Sequence, residues 1–536
     1  MKKILEKTGD QALDLALDTI SIGKQAIIFA NTKRSAEKAA EDLAKTIKQT
    51  SAALNSLADD ALNSLSRPTK QCERLSYCIK KGIAFHHAGL TSEQRDIVEE
   101  NFRKGIIKII CATPTLAAGV DLPAFRTILK DLRRFGTREG LSWIPVLEYL
   151  QMAGRAGRPK YDKFGEAVAV ANSPAAANEI KDRYLYGEPE AILSKLAVEP
   201  VLRTYLLSLI ATDFISTKKD IVDFFSRTFW AHHFQDMERL EAIITKMLDL
   251  LEDYEFIKGS SSVKNSDFIS ASEIGKDSYK ATVLGKRVAE LYIDPLTADF
   301  FVWCIKKALK KNNYEAFSFL QMVSHTLELR PWLRVKAAEF EDVMEKYAGF
   351  EDLVLEDEPS IYEPEYEDFM SSIKTAFMFL DWIDEKSEEE LLERYSVRPG
   401  EIKVKLDNAD WLFYAAEEIA RIIKAQPLLK ELAKVRFRLK YGVKEELIPL
   451  LKLKGIGRVR ARALFRNKIR NVADIKKSDI TQLVQILGKK TAIDIKKQVG
   501  IDIDKEKVPD RKRRGQTSLK HFEDDKGNKH NDRKEK

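Results

Sequence analysis

Cysteine is scarce in this chain: Cys72, Cys78, Cys111 and Cys304 are the only four among 536 residues, and no two stand in a C-x-x-C pair. That excludes a disulfide framework, a zinc knuckle and a thiolate-held iron–sulfur cluster, and it fits a reducing cytoplasm. Long apolar runs are missing too, since none approaches the roughly 20 residues that cross a bilayer. Met1-Lys2-Lys3-Ile4 does not open a secretory signal. Neither charge sign dominates: Lys and Arg outnumber Asp and Glu by only seven, which permits a polyanionic partner without demanding one. The phosphate loop G-x-x-x-x-G-K-[ST] is absent. The one Gly-Lys pair near the start, Gly23-Lys24-Gln25, precedes an apolar run instead of following one. What is present is a globular composition, 44% hydrophobic and 32% charged. The length fits about three to five domains of roughly 100–200 residues each.

The first third alternates strand and helix signals. Residues 11–22 have helical periodicity, 25–30 form a short apolar run, and 35–47 return to helical spacing. Asn31-Thr32 supplies a helix cap at a strand end, where parallel sheets place ligands. The Ser/Asn/Ala-rich stretch 51–69 reads as an excursion outside the sheet. Residues 83–85 make another strand, followed by a loop with His86, His87 and Gly89; no third ligand at a recognised spacing supports a metal there. Residues 106–112, apolar on both faces, fit the middle of a parallel sheet. Thr113 and Thr115 follow it with hydroxyls that suit a phosphate backbone, and Gly119-Val120-Asp121 brings a carboxylate close by. The extended runs 126–129 and 142–146 flank a polar, glycine-containing tip, which predicts a β-hairpin across about 126–146.

The stretch Gln151-Met152-Ala153-Gly154-Arg155-Ala156-Gly157-Arg158-Pro159 organises the rest. Two arginines three apart share one face of a helix. Small residues between them admit a close backbone or a polyphosphate, and two permanent guanidiniums suit a transferring phosphoryl group.

With 25–37, Phe85-His86-His87-Ala88-Gly89-Leu90 and Thr113–Pro123, this stretch resembles the second RecA-like motor domain of superfamily 2 helicases. The segments stand where motifs IV, IVa, V and VI would. Phe85 to Arg95, Tyr149 to Pro159, Ala281-Thr282-Val283-Leu284-Gly285 and Leu291-Tyr292-Ile293-Asp294-Pro295-Leu296-Thr297 narrow the resemblance to archaeal HelQ-like DNA repair helicases, over about residues 10–500. The resemblance implies a nucleic-acid role for Thr32, Lys33, Arg34 and His87. It implies a nucleotide-side role for Gly119 and Asp121, nucleotide sensing by Gln151, and transition-state charge from Arg155 and Arg158. It also makes the hairpin a duplex-splitting pin, with Phe135 or an apolar neighbour stacking on the last base pair and Arg133, Arg134 and Arg138 on phosphates. The first RecA-like domain of such a helicase, with its phosphate loop and DExH box, is missing here. The chain therefore reads as a second half, completed by a separate first motor chain that holds most of the ATP and magnesium.

After residue 174 the pattern turns helical. Helical stretches at 202–211, 218–225 and 237–253, then Phe256-Ile257-Lys258 and a polar stretch, resemble a winged helix with a long wing, here bracing the motor and not reading bases. A helical bundle follows. The resemblance makes residues 401–423 its ratchet helix, with Trp411 stacking on a single-strand base and Lys403 or Lys405 as the supporting cation. Leu450-Leu451-Lys452-Leu453-Lys454-Gly455-Ile456-Gly457-Arg458-Val459-Arg460-Ala461-Arg462 is a helix–hairpin–helix signature, in which Gly455 and Gly457 turn their amides toward a phosphate and arginines, Arg458 and Arg460 first, open the next helix. Ile486–Ala492 looks like a degenerate second copy. Beyond residue 504 the polar, basic composition predicts a disordered tail. In it Gln516, Leu519 and Phe522, three apart, resemble a sliding-clamp docking peptide.

The expected architecture is thus an α/β RecA-like domain with a parallel sheet (1–175), a winged helix (176–293), a helical ratchet bundle (294–430), a helix–hairpin–helix domain (431–504) and a tail (505–536). The expected function is the motor and DNA-engaging part of an ATP-dependent 3′-to-5′ helicase acting on forked DNA. A non-catalytic DNA-binding subunit and an RNA helicase are the alternatives.

Overall fold

A computed structural model of the chain describes residues 4–48, 50–65, 67–136, 140–158, 162–196, 198–259, 278–503 and 508, with only the backbone of Phe135 and Gly136. The first part runs α1 (Gln11–Ser21), β1 (Ala26–Phe29), α2 (Lys33–Thr46), α3 (Ala52–Leu62), α4 (Lys70–Ile79), β2 (Ile83–His86), α5 (Ser92–Arg103), β3 (Ile109–Ala112), α6 (Thr115–Gly119), β4 (Arg126–Leu129), β5 (Arg133–Gly136), β6 (Gly140–Trp143), α7 (Val146–Ala153), β7 (Glu166–Ala169) and α8 (Pro174–Ile180). Threonine and aspartate start these helices: Asp10, Thr32, Thr69 and Thr91 each accept backbone N–H groups at an N-cap. Five strands form one parallel sheet in the order β2-β3-β1-β4-β7. The three innermost strands, β3, β1 and β4, are buried along their whole length; β1 and β3 are accordingly apolar throughout, while β4 opens on the buried polar pair Arg126-Thr127.

One expectation changes here. Residues 126–129 do not belong to the hairpin; they are β4, inserted between β1 and β7. The hairpin is only β5 with β6, in register Arg133 opposite Trp143. The reason lies in Arg126, which is 1% exposed. Its guanidinium donates to Asp18, Thr19 and the Leu15 carbonyl of α1 and to Glu166 of β7, clamping helix and strand onto β4. A buried arginine with this many acceptors holds its strand inside the sheet.

The chain continues with α9 (Glu199–Ala211), α10 (Lys218–Ser226), α11 (Phe229–Phe234), α12 (Met237–Asp253), the antiparallel pair β8 (Ile257–Gly259) and β9 (Tyr279–Ala281), and α13 (Val283–Leu291). A bridge from Thr217 to Ser278 adds a third short edge, the arrangement of a winged helix. Helix α11 was not legible in the sequence. A helical bundle follows, with α14 (Pro295–Lys311), α15 (Ala316–Ser324), α16 (Phe340–Ala348), α17 (Glu365–Ile383), α18 (Glu388–Tyr395), the 24-residue α19 (Pro399–Ile422) and α20 (Gln426–Tyr441). Among the described residues no helix is long and apolar enough to cross a membrane.

The chain divides into two compact units, Met1–Met378 with Lys386–Ala433, and Phe379–Glu385 with Lys434–Lys536. The second holds α21 (Ile448–Leu451), α22 (Arg458–Arg466), α23 (Val472–Lys477), α24 (Ile480–Leu487) and α25 (Lys489–Gln498) around a core that includes Leu450, Leu464, Ile475, Leu483 and Ile495. Arg462 ties it together through Glu385 and Glu446.

Within the first unit, a buried carboxylate joins the sheet domain to α19. Glu37 on α2 is 2% exposed. One oxygen faces His87 Nε2 at 3.0 Å and accepts from Arg398 Nε at 2.9 Å, while the other accepts from Arg74 at 2.7 Å. Arg398 is the residue that precedes α19. Next to it Gly400 lies directly on the loop after β2: its amide donates to the Gly89 carbonyl at 3.1 Å, and a Cβ there would come within 2.2 Å of the Leu90 carbonyl oxygen. Lys33 pairs with Glu401 beside it.

Burial alone would raise the pKa of Glu37, but hydrogen bonds from His87 and Arg398 and the charge of Arg398 outweigh it and hold it down to about 2. A carboxyl whose folded pKa is depressed contributes stability above its unfolded pKa and loses it as pH falls through the folded value. Glu37 therefore contributes about 3 kcal/mol, lost between about pH 4.5 and 2. Denaturant titrations at pH 7, 4.5 and 3 are expected to show Glu37→Gln already weakened at pH 7 and flatter than the parent below pH 4.5. Parallel pH profiles would remove Glu37 as the acid-labile joint.

Candidate functional site

Gln151 lies on the exposed side of the last turn of α7, and the helix stops at Ala153 with Gly154 as its cap. The two arginines are therefore not on one helix face as their spacing suggested. Residues 155–157 leave the helix and run alongside Ala124: Ala124 N–H donates to the Arg155 carbonyl at 2.9 Å and Gly157 N–H to the Ala124 carbonyl at 2.6 Å. In that extended stretch the guanidiniums diverge. Arg155 donates from Nε to the Ala117 carbonyl at 3.2 Å and stands 3.7 Å from the exposed Asp121 carboxylate. Arg158 turns to the amino end of β1, donating to Gln25 Oε1 at 2.6 Å and to Asp162 at 2.7 Å. Asp162 also holds Lys24 at 2.6 Å, and the hydrogen bond from Arg158, with those partners, keeps its carboxyl below the usual range. The reading from sequence missed Gln25, Lys24 and Asp162. The last had a visible signal, standing four residues after Arg158.

Gly119 ends α6, and Val120 to Ala124 carries the chain from the carboxyl end of β3 to the amino end of β4. Gln151, Arg155, Asp121 and Gly119 thus share one edge of the domain. This edge offers one anchored cation, Arg155, with an exposed amide and an exposed carboxylate, groups that fit polyphosphate and its counter-ion.

Thr32, Lys33, Arg34, Thr113 and Thr115 follow the carboxyl ends of the neighbouring strands β1 and β3. The Thr32 hydroxyl accepts from Ser35 N–H as the α2 cap, Lys33 is paired with Glu401, and Arg34 is exposed. Thr113 and Thr115 hydroxyls bond to each other at 2.9 Å. His87 departs from its expected role. It is completely buried, stacked on Phe85 at 5.5 Å and bonded to Glu37 and Gly89 N–H, and burial lowers its pKa so that it is neutral at pH 7. It supports the α19 joint and cannot touch a nucleic acid directly.

The hairpin arginines are half exposed and paired: Arg133 with Glu179 at 3.0 Å and over the Trp143 ring at 4.0 Å, Arg134 with Glu148 at 2.9 Å. The backbone of Phe135 lies in β5; its side chain, and the whole of Arg138, are outside the described residues.

On α19, Lys403 is exposed and paired with Asp407 at 2.6 Å. Lys405 instead folds inward, donating to the Pro331 carbonyl at 2.6 Å, and burial pulls its pKa down to about 8. Of the two lysines left open by the sequence, Lys403 is therefore the one with an accessible ammonium. Trp411 is partly buried, and its indole N–H donates to the Leu291 carbonyl of α13 at 2.9 Å.

In the second unit, Gly455 has φ +84° and Gly457 caps α22, with open space where a Cβ of either would project. Arg460 is exposed and donates to the Gly455 carbonyl at 2.7 Å, while Arg458 lies over the Trp382 ring at 4.9 Å. Gly488, φ +85°, repeats the turn before α25. Gln516, Leu519 and Phe522 lie outside the described residues.

Known families match in the same order. The helicase conserved C-terminal domain matches residues 10–160, the archaeal helicase domain 4 matches 317–442 and the SAM-like helix-hairpin-helix tandem matches 447–500. Among curated relatives is the ATP-dependent DNA helicase Hel308 of Methanococcus vannielii, 36% identical over 92% of this chain and 68% of the relative. Those of Pyrococcus horikoshii (38%; 94% and 67%) and Methanocella arvoryzae (35%; 94% and 66%) are similar. The chain spans about two thirds of the length of these relatives.

The inward hydrogen bond of Trp411 leaves its ring face to be tested. Trp411→Ala is expected to weaken binding of a single-stranded oligonucleotide by about 1–3 kcal/mol. Trp411→Phe keeps a ring, loses the N–H and is expected to cost about 1 kcal/mol of stability while retaining most of the binding. Anisotropy titrations beside thermal melts decide: an alanine variant with normal affinity and a lower melting temperature would make Trp411 a core residue alone.

Proposed function

Because the chain belongs to the Hel308 family of ATP-dependent DNA helicases, we propose that it is the second-motor-domain and DNA-engaging portion of such an enzyme, unwinding forked DNA 3′-to-5′ in repair and recombination. The observation that carries this reading is the edge formed by Gln151, Arg155, Asp121 and Gly119, with Arg158 held separately at the amino end of β1, in a 536-residue sequence without a phosphate loop. ATP with magnesium supplies phosphoryl transfer, its phosphates held mainly by a first motor domain. From this side Gln151 senses the nucleotide, and Arg155 and Arg158 offer their charge once Arg158 exchanges Asp162 for a phosphate oxygen. Thr113, Thr115, Thr32 and Arg34 face the DNA backbone, the hairpin splits the duplex, Lys403 and Trp411 follow the single strand, and Gly455, Gly457 and Arg460 hold a phosphate. The tail residues Gln516, Leu519 and Phe522 dock on a sliding clamp.

By this reading the purified chain has no ATPase of its own, because the groups that grip the β- and γ-phosphates are lacking. Adding a first motor domain from a Hel308 relative is expected to create DNA-stimulated ATPase, which Arg158→Ala then cuts by about 10³-fold. Substantial turnover by the chain alone, or full activity of the variant, would refute the assignment.

Calorimetric titration of residues 505–536 into the sliding clamp of the same organism tests the docking proposal. Binding should vanish in the Leu519→Ala, Phe522→Ala double variant, and absence of binding by the parent peptide rejects it.

A further inference from the structure

Between β6 and α7 the chain passes through Trp143, Ile144, Pro145, Val146 and Leu147, the covalent link from the hairpin to the helix whose last turn carries Gln151. Pro145 precedes α7 and provides no side-chain cap. The groups this link leaves open are answered from one other segment, residues 179–190, which runs beside it in the same order. Glu179 accepts from the Trp143 indole N–H at 2.7 Å and from Arg133 of the facing strand at 3.0 Å. Tyr184, 2% exposed, donates its hydroxyl to the Ile144 carbonyl at 2.8 Å and stacks on Tyr149 of α7 at 4.6 Å. Glu190 accepts Val146 N–H at 2.6 Å and Leu147 N–H at 3.1 Å, serving as the missing cap of α7 from 44 residues away.

The segment is shaped for this. It leaves α8 through a π-helical turn, Lys181–Leu185, a rare geometry that recurs at functional sites. Gly187 then packs on it so closely that a Cβ would lie 1.9 Å from the Arg183 carbonyl oxygen. Arg134 on β5 reaches Glu148 in the first turn of α7, closing the circuit from the hairpin side.

We propose that Glu179, Tyr184 and Glu190 form a strap that makes the hairpin and α7 one mechanical body, so that a load on the hairpin repositions Gln151 and Arg155. These three are positioning residues: none faces the edge where the nucleotide is expected, and each acts through the 143–147 link. The functional half of this statement rests on the proposed roles of the hairpin and of α7. The strap itself does not.

Two sites coupled through one element influence each other reciprocally, and that reciprocity is measurable in the full chain without DNA or nucleotide. Amide hydrogen exchange is followed by mass spectrometry at β6 and at α7. Glu190→Ala, at the helix end of the strap, is expected to speed exchange at Leu141 to Trp143, and Glu179→Ala, at the hairpin end, to speed it at Val146 to Leu150, each by about tenfold. Glu190→Gln, which keeps an acceptor oxygen, should restore most of the protection. Glu179 and Glu190 both reach solvent, so these variants should fold, and unchanged melting temperatures confirm it. Exchange that rises only next to each substitution, with no effect at the far end, overturns the strap. A forked oligonucleotide then tests the functional half: binding should protect α7 amides in the parent chain and not in Glu190→Ala. A fork that binds without protecting α7 overturns the transmission of load. Failure of the chain to bind a fork at all would count against the helicase reading, leaving the strap to be judged on the free chain.

Discussion

Removing the charge of Glu37 from water is the constraint around which the first unit is built. A buried carboxylate is tolerated only when its oxygens are filled by donors, and here they come from three distant places: Arg74 on α4, His87 after β2 and Arg398 before α19. The last lies 361 residues away in the chain. Satisfying one carboxylate thereby fixes where the longest helix of the bundle begins relative to the sheet. The backbone contact at Gly400 follows from it, because Arg398 cannot reach Glu37 unless the first turn of α19 lies against the 88–90 loop.

Other joints in this unit carry the same kind of directional polar link alongside their buried apolar side chains. Arg203 of α9 grips Asp294, the cap of α14, at 2.6 and 2.9 Å. The Trp411 indole bonds the end of α13, and Arg287 reaches Glu418 and Tyr414 on α19. The winged helix is thus fastened to α19 along the helix's middle and the sheet domain at its start. Such bonds weaken steeply with misalignment, so they set angles as well as distances, a property suited to parts that must move in step. The strap at residues 179–190 extends the logic to the hairpin.

Where charge is concerned, composition misleads about availability. Lys33, Arg133, Arg134 and Lys405 all look like free cations in a list of residues, yet each has an acceptor within the chain. For the two hairpin arginines and Lys33 the pairing is partly exposed, and exposed pairs are worth little, so a phosphate can displace the carboxylate. For Lys405 the acceptors are backbone carbonyls under cover of the 329–331 loop, and the ammonium stays inside.

The apolar runs 25–30, 83–85 and 106–112 determined three parallel strands by themselves, because a strand covered on both faces has no polar positions to confuse with anything else. The glycine pair 455 and 457 likewise determined its turn, and the threonines at 32 and 91 their helix starts, since caps and turns are decided by neighbours in the chain. Long-range partners decided the remainder. Arg126 made β4 a sheet strand in place of a hairpin strand through acceptors on α1 and β7. Ala124 drew residues 155–157 out of the helix and sent Arg155 and Arg158 to different places. Glu37 took His87 into the core. In each case the deciding group stands more than 30 residues away, and its energy depends on an approach that only the folded chain creates.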